Sequence, residues 1–220
     1  MLRQVELTDA MRSQHACRYF LPDDVPDRVL YAAVEAARFA PNGGNRNAVR
    51  FLIVKDADKR RRLGEWYLPL WRAVSEGAPD SDYPQRLGFS NLEKAKRDGD
   101  HFAEHFGTHP AIVVVCIDPR EVHATDAELD RLSIVGGASV YPMAQNLCLA
   151  LRDQGVASSL TTLLVAREPD VKAMLGIPEH LITACHLAIG YPAKPFPTRL
   201  RRLPVDELAF VDTFASPLTG

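Results

Sequence analysis

The sequence predicts a single α+β domain in which helices cover both sides of a central sheet, and three observations carry that expectation. Residues 110–117 read Pro-Ala-Ile-Val-Val-Val-Cys-Ile, apolar on both faces of a strand, so this strand belongs in the interior of the sheet. Leu132 to Gln154 keeps helical spacing at Val140, Ala144, Leu147 and Leu151 and is apolar most of the way round, as a helix covered on all sides is. Three to four short apolar runs alternate with helical stretches along the 220 residues, with no internal repeat, low-complexity tract or second domain.

Taken in order, Met1 to Arg18 reads as a first helix with Val5, Leu7, Met11 and His15 roughly on one side, broken by Pro22 and Pro26. Val25-Pro26-Asp27 starts a second helix, because proline tolerates the first turn and an acid there suits the helix dipole. Leu30, Val34 and Ala37 continue it to Ala40, and Pro41 stops it. Arg50 to Lys55 is the first β-branched run and reads as a buried strand. Asp56 to Tyr67 reads as a helix whose Arg60-Arg61-Arg62 run is a solvated face. Residues 69–109 mix glycines, prolines, charges and scattered aromatics, and a long excursion of this kind is a candidate lid. Ser158 to Leu164 reads as a short strand or loop of hydroxyls, Glu168-Pro169 opens a helix ending near Gly176, and His180 to Gly190 gives the last strand. His186 lies inside that strand and reads as a satisfied core residue.

Composition narrows the chemistry. A net charge of −2 excludes the strong basic excess that a duplex-reading surface needs, so no nucleic-acid partner is expected. No apolar run reaches roughly 18 residues and no apolar signal region opens the chain, so no membrane span is expected and the cytoplasm is the expected compartment. Cys17, Cys116, Cys148 and Cys185 are far apart, without the spacing of a zinc or redox pair; the last three read as small core residues, and Cys17 is left open. There is no nucleophile elbow, no dinucleotide fingerprint, no phosphate-cradling GxxxxGK loop and no metal cluster. Two polar segments bracket the second helix instead. Pro41 to Asn47 packs two glycines with three Asn and one Arg side chain, suited to a polar, planar ligand. Arg199, Arg201 and Arg202 load a proline-stiffened tail with guanidinium groups suited to phosphate.

The brackets resemble a known family. Gln14-His15-Ala16-Cys17-Arg18-Tyr19-Phe20, then Pro22, Val25-Pro26 and Leu30, then Ala40-Pro41-Asn42-Gly43-Gly44-Asn45-Arg46-Asn47-Ala48-Val49 follow in order and spacing the nitroreductase family of FMN-dependent oxidoreductases. Members open with an RSxRxF-like segment, a PxxVPxxxL helix start and APSxxNxQPW leading into a strand. Gly190-Tyr191-Pro192 is a further hallmark. The chain departs from the pattern at Ala16, which replaces a hydroxyl, at Gln14 or His15, where an arginine is usual, and at Asn47-Ala48-Val49, which replace Gln-Pro-Trp.

The resemblance implies a nitroreductase-like three-layer arrangement, helices around a central mostly antiparallel sheet, in a homodimer whose interface is built on the helix that starts after Leu132. It implies FMN as cofactor, NADH or NADPH as co-substrate, and a small-molecule electron acceptor such as a nitroaromatic or quinone. Catalytic side chains are not required, because flavin carries the chemistry. The implied flavin contacts are Gln14, His15, Ala16 and Arg18; Pro41, Asn42, Gly43, Asn45 and Asn47, of which Asn42, Gly43 and Asn45 would come from the partner subunit; Ser159, Leu160, Thr161 and Thr162 over one face of the ring; and Arg199, Arg201 and Arg202 at the phosphate. Arg18 would meet the pyrimidine edge, and His15 would add a cation with a pKa near about 6.5. Residues 193–220 would form an arm around the partner. The alternatives are a flavin- or ligand-binding protein of the same fold without turnover, a sensor or store, and a divergent flavoenzyme of other chemistry.

Overall fold

Residues 5–77 and 92–220 are described by a computed structural model. Seven consecutive residues, Ala111–Ile117, carry neither a charge nor a hydroxyl, and all seven are buried in strand β2 (Ala111–Ile117). β2 pairs antiparallel on one side with β1 (Val49–Val54), from Val49 opposite Ile117 to Val54 opposite Ile112. On the other side it pairs antiparallel with β4 (Ile182–Gly190), with a register shift between Val115 and Cys116. β3 (Ala157–Thr161) lies antiparallel to β4, so the sheet order is β1-β2-β4-β3. The expected mostly antiparallel sheet is antiparallel at all three pairings of these four strands.

Alternation along the strands divides the core in two. Val113, Val115, Leu187 and Ile189 face α2 (Asp27–Ala37) and α5 (Val140–Asp153), where Leu30, Ala33, Met143, Ala144, Leu147 and Leu151 meet them. Ile112, Val114, Cys116 and Ala188 face the opposite layer, made by α3 (Ala57–Gly77), α4 (Leu92–Glu104) and α6 (Glu168–Leu175). Leu63, Tyr67, Phe102, Phe106 and Val171 fill that layer. Each fully buried Leu or Phe contributes about 1.5–3 kcal/mol, so two such layers stabilise a sheet that no single face could hold. The three-layer arrangement is therefore as the sequence implies.

Boundaries differ where a local hydrogen bond overrides the apolar spacing. α1 is only Leu7–Ser13, and the residues that the spacing put inward, Leu7 and Met11, are 62% and 55% exposed. The small residues Ala10 and Ser13 are buried instead. After Ser13 the chain turns extended, because Cys17 N–H finds the Ser158 carbonyl at 3.0 Å and continues the sheet beyond β3. α5 starts at Val140 and not near Leu132. The Asp126 carboxylate accepts from the Ile134 N–H (2.9 Å), the Ser133 hydroxyl (2.8 Å) and Arg131 (2.8 Å), and holds that stretch as a loop.

The helix expected to end at Tyr67 runs on through Pro69 to Gly77. Pro69 removes one backbone donor, and packing on α4 carries the helix past it: Trp71 Nε1 donates to Asp100 at 2.8 Å, and its ring lies where a Cβ on Gly99 would stand 2.4 Å away. Within the expected lid, residues 92–104 are thus helix α4, with Phe102 and Phe106 in the core. Residues 78–91 of that segment lie outside the described residues.

Gly64 sets how close α3 lies to the turn before β2: a Cβ there would come within 2.7 Å of the Gly107 backbone nitrogen. Helix propensity alone favours Gly64→Ala by about 1 kcal/mol. Overpacking against backbone opposes it with about 1–3 kcal/mol. Gly64→Ala is expected to lower stability in urea unfolding, and an increase would show that α3 can shift without loss.

Candidate functional site

The segment Gln14 to Phe20 lies along β3. Ala16 forms a parallel bridge with Ser158, Phe20 pairs with Pro192, and Ala193 N–H donates to the Tyr19 carbonyl at 3.0 Å. Opposite ends of the chain meet here: Leu200 N–H donates to the Arg12 carbonyl at 2.9 Å, which lays residues 199–201 of the tail alongside the end of α1. The sequence-predicted sets Gln14 to Arg18, Ser159 to Thr162 and Arg199 to Arg202 are therefore brought to one side of the molecule. Ser159 and Thr161 are buried on the α3 side of β3, Leu160 is 39% exposed, and Thr162 starts the turn that follows. Arg199, Arg201 and Arg202 are exposed, and Arg202 donates to the Arg201 carbonyl at 2.7 Å.

Arg18 is the most deeply set of these cations. Its guanidinium donates to Ser159 Oγ at 3.1 Å and lies 4.9 Å from the centre of the Phe102 ring, and burial holds its pKa below the ordinary arginine value. Among the described residues no carboxylate forms an ion pair with it. A buried charge without a counter-ion is costly, so this position calls for a negative partner. Tyr19 beside it is fixed by Asp98 (2.7 Å) and by Lys194, 4.0 Å from its ring centre.

His15 turns its ring edge-on to Phe196 of the tail, 5.9 Å between centroids, with Nδ1 3.2 Å from the Ser13 carbonyl. Burial first, then the neighbouring Arg152 and Arg18, lower its pKa below 6.5. The expected histidine cation is thus disfavoured at neutral pH in the chain by itself. Sequence reasoning missed Arg152, whose Nε donates to Ser13 Oγ at 2.9 Å and whose guanidinium stacks 3.9 Å from the centre of the Phe196 ring. Its position in the last turn of α5 gave it no motif to be found by.

The second bracket is held elsewhere. Gly43 N–H donates to Ser139 Oγ (3.1 Å) at the start of α5, whereas Gln14 accepts from Gln145 (3.4 Å), six residues further along the same helix. Gly44, Asn45 and Asn47 have positive φ (58°, 53°, 53°), and the side chains of Asn42 and Asn47 are engaged in fixing this turn, by Asn47 N–H to Asn42 Oδ1 (2.9 Å) and Asn47 Nδ2 to the Asn45 carbonyl (2.7 Å). Pro41, Asn42 and Gly43 line a separate cleft of about 440 Å³ with Glu121, Val135 and Ser139. Asn45 and Asn47 are exposed beside it.

Residues 11–191 match the model of the nitroreductase family. The chain belongs to this family. Among its relatives, iodotyrosine deiodinase 1 of Homo sapiens is 24% identical over 211 residues, covering 94% of this chain and 68% of that protein. NADH dehydrogenase of Thermus thermophilus is 26% identical over 206 residues, covering 90% and 92%. A nitroreductase with bound FMN from Desulfitobacterium hafniense superposes with a TM-score of 0.67 at 21% identity, over 96% of this chain and 100% of that one. Iodotyrosine deiodinase bound to FMN and 3-iodo-L-tyrosine superposes with a TM-score of 0.68 at 20% identity, over 95% and 100%.

Among the described residues no group of three or more His, Cys, Asp or Glu could hold a metal ion, and no helix is long and apolar enough to cross a membrane. All four cysteines are free and buried, Cys17 included. His186 is not the satisfied core histidine that the sequence suggested. It is fully buried opposite Val114 and Thr161, and neither ring nitrogen has a hydrogen-bond partner. Burial pushes its pKa down to about 4, and that of His109, stacked on Phe102, down to about 3. An unfolded histidine takes up a proton near about 6.5. The unfolded chain therefore binds protons first as pH falls, and stability drops from about 6.5 down towards 4 and is unaffected above that window. His186→Leu is expected to raise the midpoint of thermal unfolding at pH 7 and to flatten its decline at pH 5; a decline of unchanged slope would assign the acid limb to other groups.

Proposed function

We propose that this chain is an FMN-dependent oxidoreductase that takes reducing equivalents from NADH or NADPH and passes them to a small nitroaromatic, quinone or related acceptor. One observation carries the reading. The two ends of the chain converge on β3 and bring the guanidinium groups of Arg18 and Arg152, which form no ion pair among the described residues, beside a segment of buried hydroxyls. Such a donor set fits a ligand with a phosphate at one end and an electron-rich ring at the other, which is the chemistry of FMN. Bound FMN would supply the redox chemistry itself. The chain's own part is binding, orientation and electrostatics: Arg18 under β3 favours negative charge on the ligand, and the peptide groups of Leu160 to Thr162 offer donors at the exposed edge.

The same reading includes a homodimer. Tyr31, Phe39, Leu132, Ile134 and Phe214 are 74%, 71%, 84%, 71% and 88% exposed, apolar side chains that a two-fold interface would cover. The turn Pro41 to Asn47 meets α5 six residues before the position that meets Gln14, and in the proposed dimer a two-fold partner would carry the same turn to the other site. The exposed residues 205–214 would lie on that partner.

The deiodinase relatives favour a second reading of the acceptor, a halogenated phenol that loses halide on reduction. Purified protein titrated with FMN, weighed by light scattering and supplied with NADH, NADPH, a nitroaromatic or 3-iodotyrosine separates the readings. Stoichiometric FMN, a mass of two chains and acceptor-dependent oxidation of reduced flavin are expected. Absence of FMN binding up to high micromolar would remove the basis of the reading, and FMN binding without turnover would favour a sensor or store.

Arg18 provides the electrostatic test. Arg18→Gln keeps a donor near Ser159 and removes the buried charge. The bound flavin's reduction potential is expected to fall by an amount equivalent to roughly 1.5–3 kcal/mol, the value of a charge-assisted hydrogen bond. The fold should hold or gain stability, since a buried unpaired charge has been removed. An unchanged potential in folded, flavin-loaded protein would place the stabilising cation elsewhere.

A further inference from the structure

Arg152 is held as an anion-binding arginine is held. Nε is fixed by the buried Ser13 hydroxyl at 2.9 Å, and Ser13 in turn donates to the Asp9 carbonyl at 2.6 Å, so the anchor is itself immobile. The guanidinium face is fixed by Phe196 at 3.9 Å. These two contacts set the plane and leave both terminal nitrogens without an acceptor among the described residues. No carboxylate forms an ion pair with it; Asp153, the next residue, has an oxygen that accepts the Val5 N–H at 2.7 Å, and Asp9 acts on Arg152 only from beyond ion-pair distance. Gln14, which follows Ser13, is neutral, and its amide oxygen already accepts from Gln145, seven residues before Arg152 on α5. The cation at this corner thus comes from α5, not from the segment after α1.

We propose that Arg152 is the phosphate-selecting residue of the site, its two terminal nitrogens forming the fork that meets a phosphate monoester. The inference rests on the FMN reading and adds to it the residue that distinguishes FMN from flavin without phosphate. A guanidinium plane locked by a hydroxyl and an aromatic face is pre-organised, so little rotamer freedom is lost when the paired bonds form. Phe196 makes the arrangement sensitive to the tail: only when 193–200 lies against α1 and α5 is the plane defined.

The test is flavin fluorescence titration of the purified, flavin-depleted protein with FMN and with riboflavin, which lacks the phosphate. Wild-type protein is expected to prefer FMN, and Arg152→Gln to weaken FMN binding roughly 10- to 100-fold, as a lost charged pair does, with riboflavin binding unchanged. Arg152→Lys keeps the charge and loses the fork, and should lose part of the preference; it carries the test should the glutamine variant not fold. A preference for FMN that is undiminished in Arg152→Gln, or undiminished in Arg152→Lys, overturns the proposal. Equal loss of both flavins also overturns it, because that is the result of a purely structural stack on Phe196. Wild-type protein that binds neither flavin overturns the FMN reading and this inference with it, a result distinct from a wild-type preference that the variants leave intact.

Discussion

Burial of β2 on both faces is the constraint from which the rest of the structure follows. Ala111–Ile117 has no polar side that could face water, so helices are required on each side and strands on each edge. The antiparallel pairing then places β4 beside β2 and leaves β3 next to the outside. β3 does not end the sheet. The extended segment after α1 joins its free edge through Ala16 and Cys17, and a strand edge that would otherwise be open becomes the seam along which the two ends of the chain meet.

That seam explains why binding residues can be far apart in sequence and close in space. Arg18 arrives because Cys17 pairs with Ser158; Arg199 to Arg202 arrive because Gly190-Tyr191-Pro192 turns the chain at the end of β4 and Leu200 returns to Arg12. α5 links both to the other bracket, with Ser139 at one end against Gly43 and Arg152 at the other against Ser13 and Phe196. A single helix therefore fixes the spacing between the corner proposed to hold phosphate and the turn proposed to serve a partner chain.

The sequence made the layers legible because they depend on long apolar runs. Residues 110–117, 140–151 and 182–189 could hardly be packed otherwise. It misplaced boundaries where one side chain decides: Asp126 keeps 131–135 out of α5, and α4 packing carries α3 past Pro69. It misread α1 because Leu7 and Met11 keep helical spacing without being buried, while the contacts that matter are made by Ala10 and Ser13, too small to stand out. Within the site, the motif residues came from resemblance, and their grouping came from the fold. Arg152 was illegible, since a lone arginine at the end of an apolar helix reads as a solvated terminus until its partners, 139 and 44 residues away, are known.

The two faces of the sheet also differ in chemistry, and the difference points to β3. The layer of α2 and α5 packs against aliphatic side chains of the two central strands. The layer of α3 and α4 holds a line of polar groups: Tyr67 and Thr161 hydroxyls 3.2 Å apart, His186 with no partner, His109 on Phe102, and Arg18 between Phe102 and Ser159. Each would pack more favourably as an apolar residue of similar size, because a buried polar group without full hydrogen bonding costs about 1–3 kcal/mol. Four of them, Thr161 with Tyr67 and Ser159 with Arg18, lie behind the residues of β3 that stand next to the outside. Stability alone does not account for that placement. The proposed flavin site does, since hydroxyls and a guanidinium set behind β3 would fix its backbone and bias the charge that it can support beside a ring.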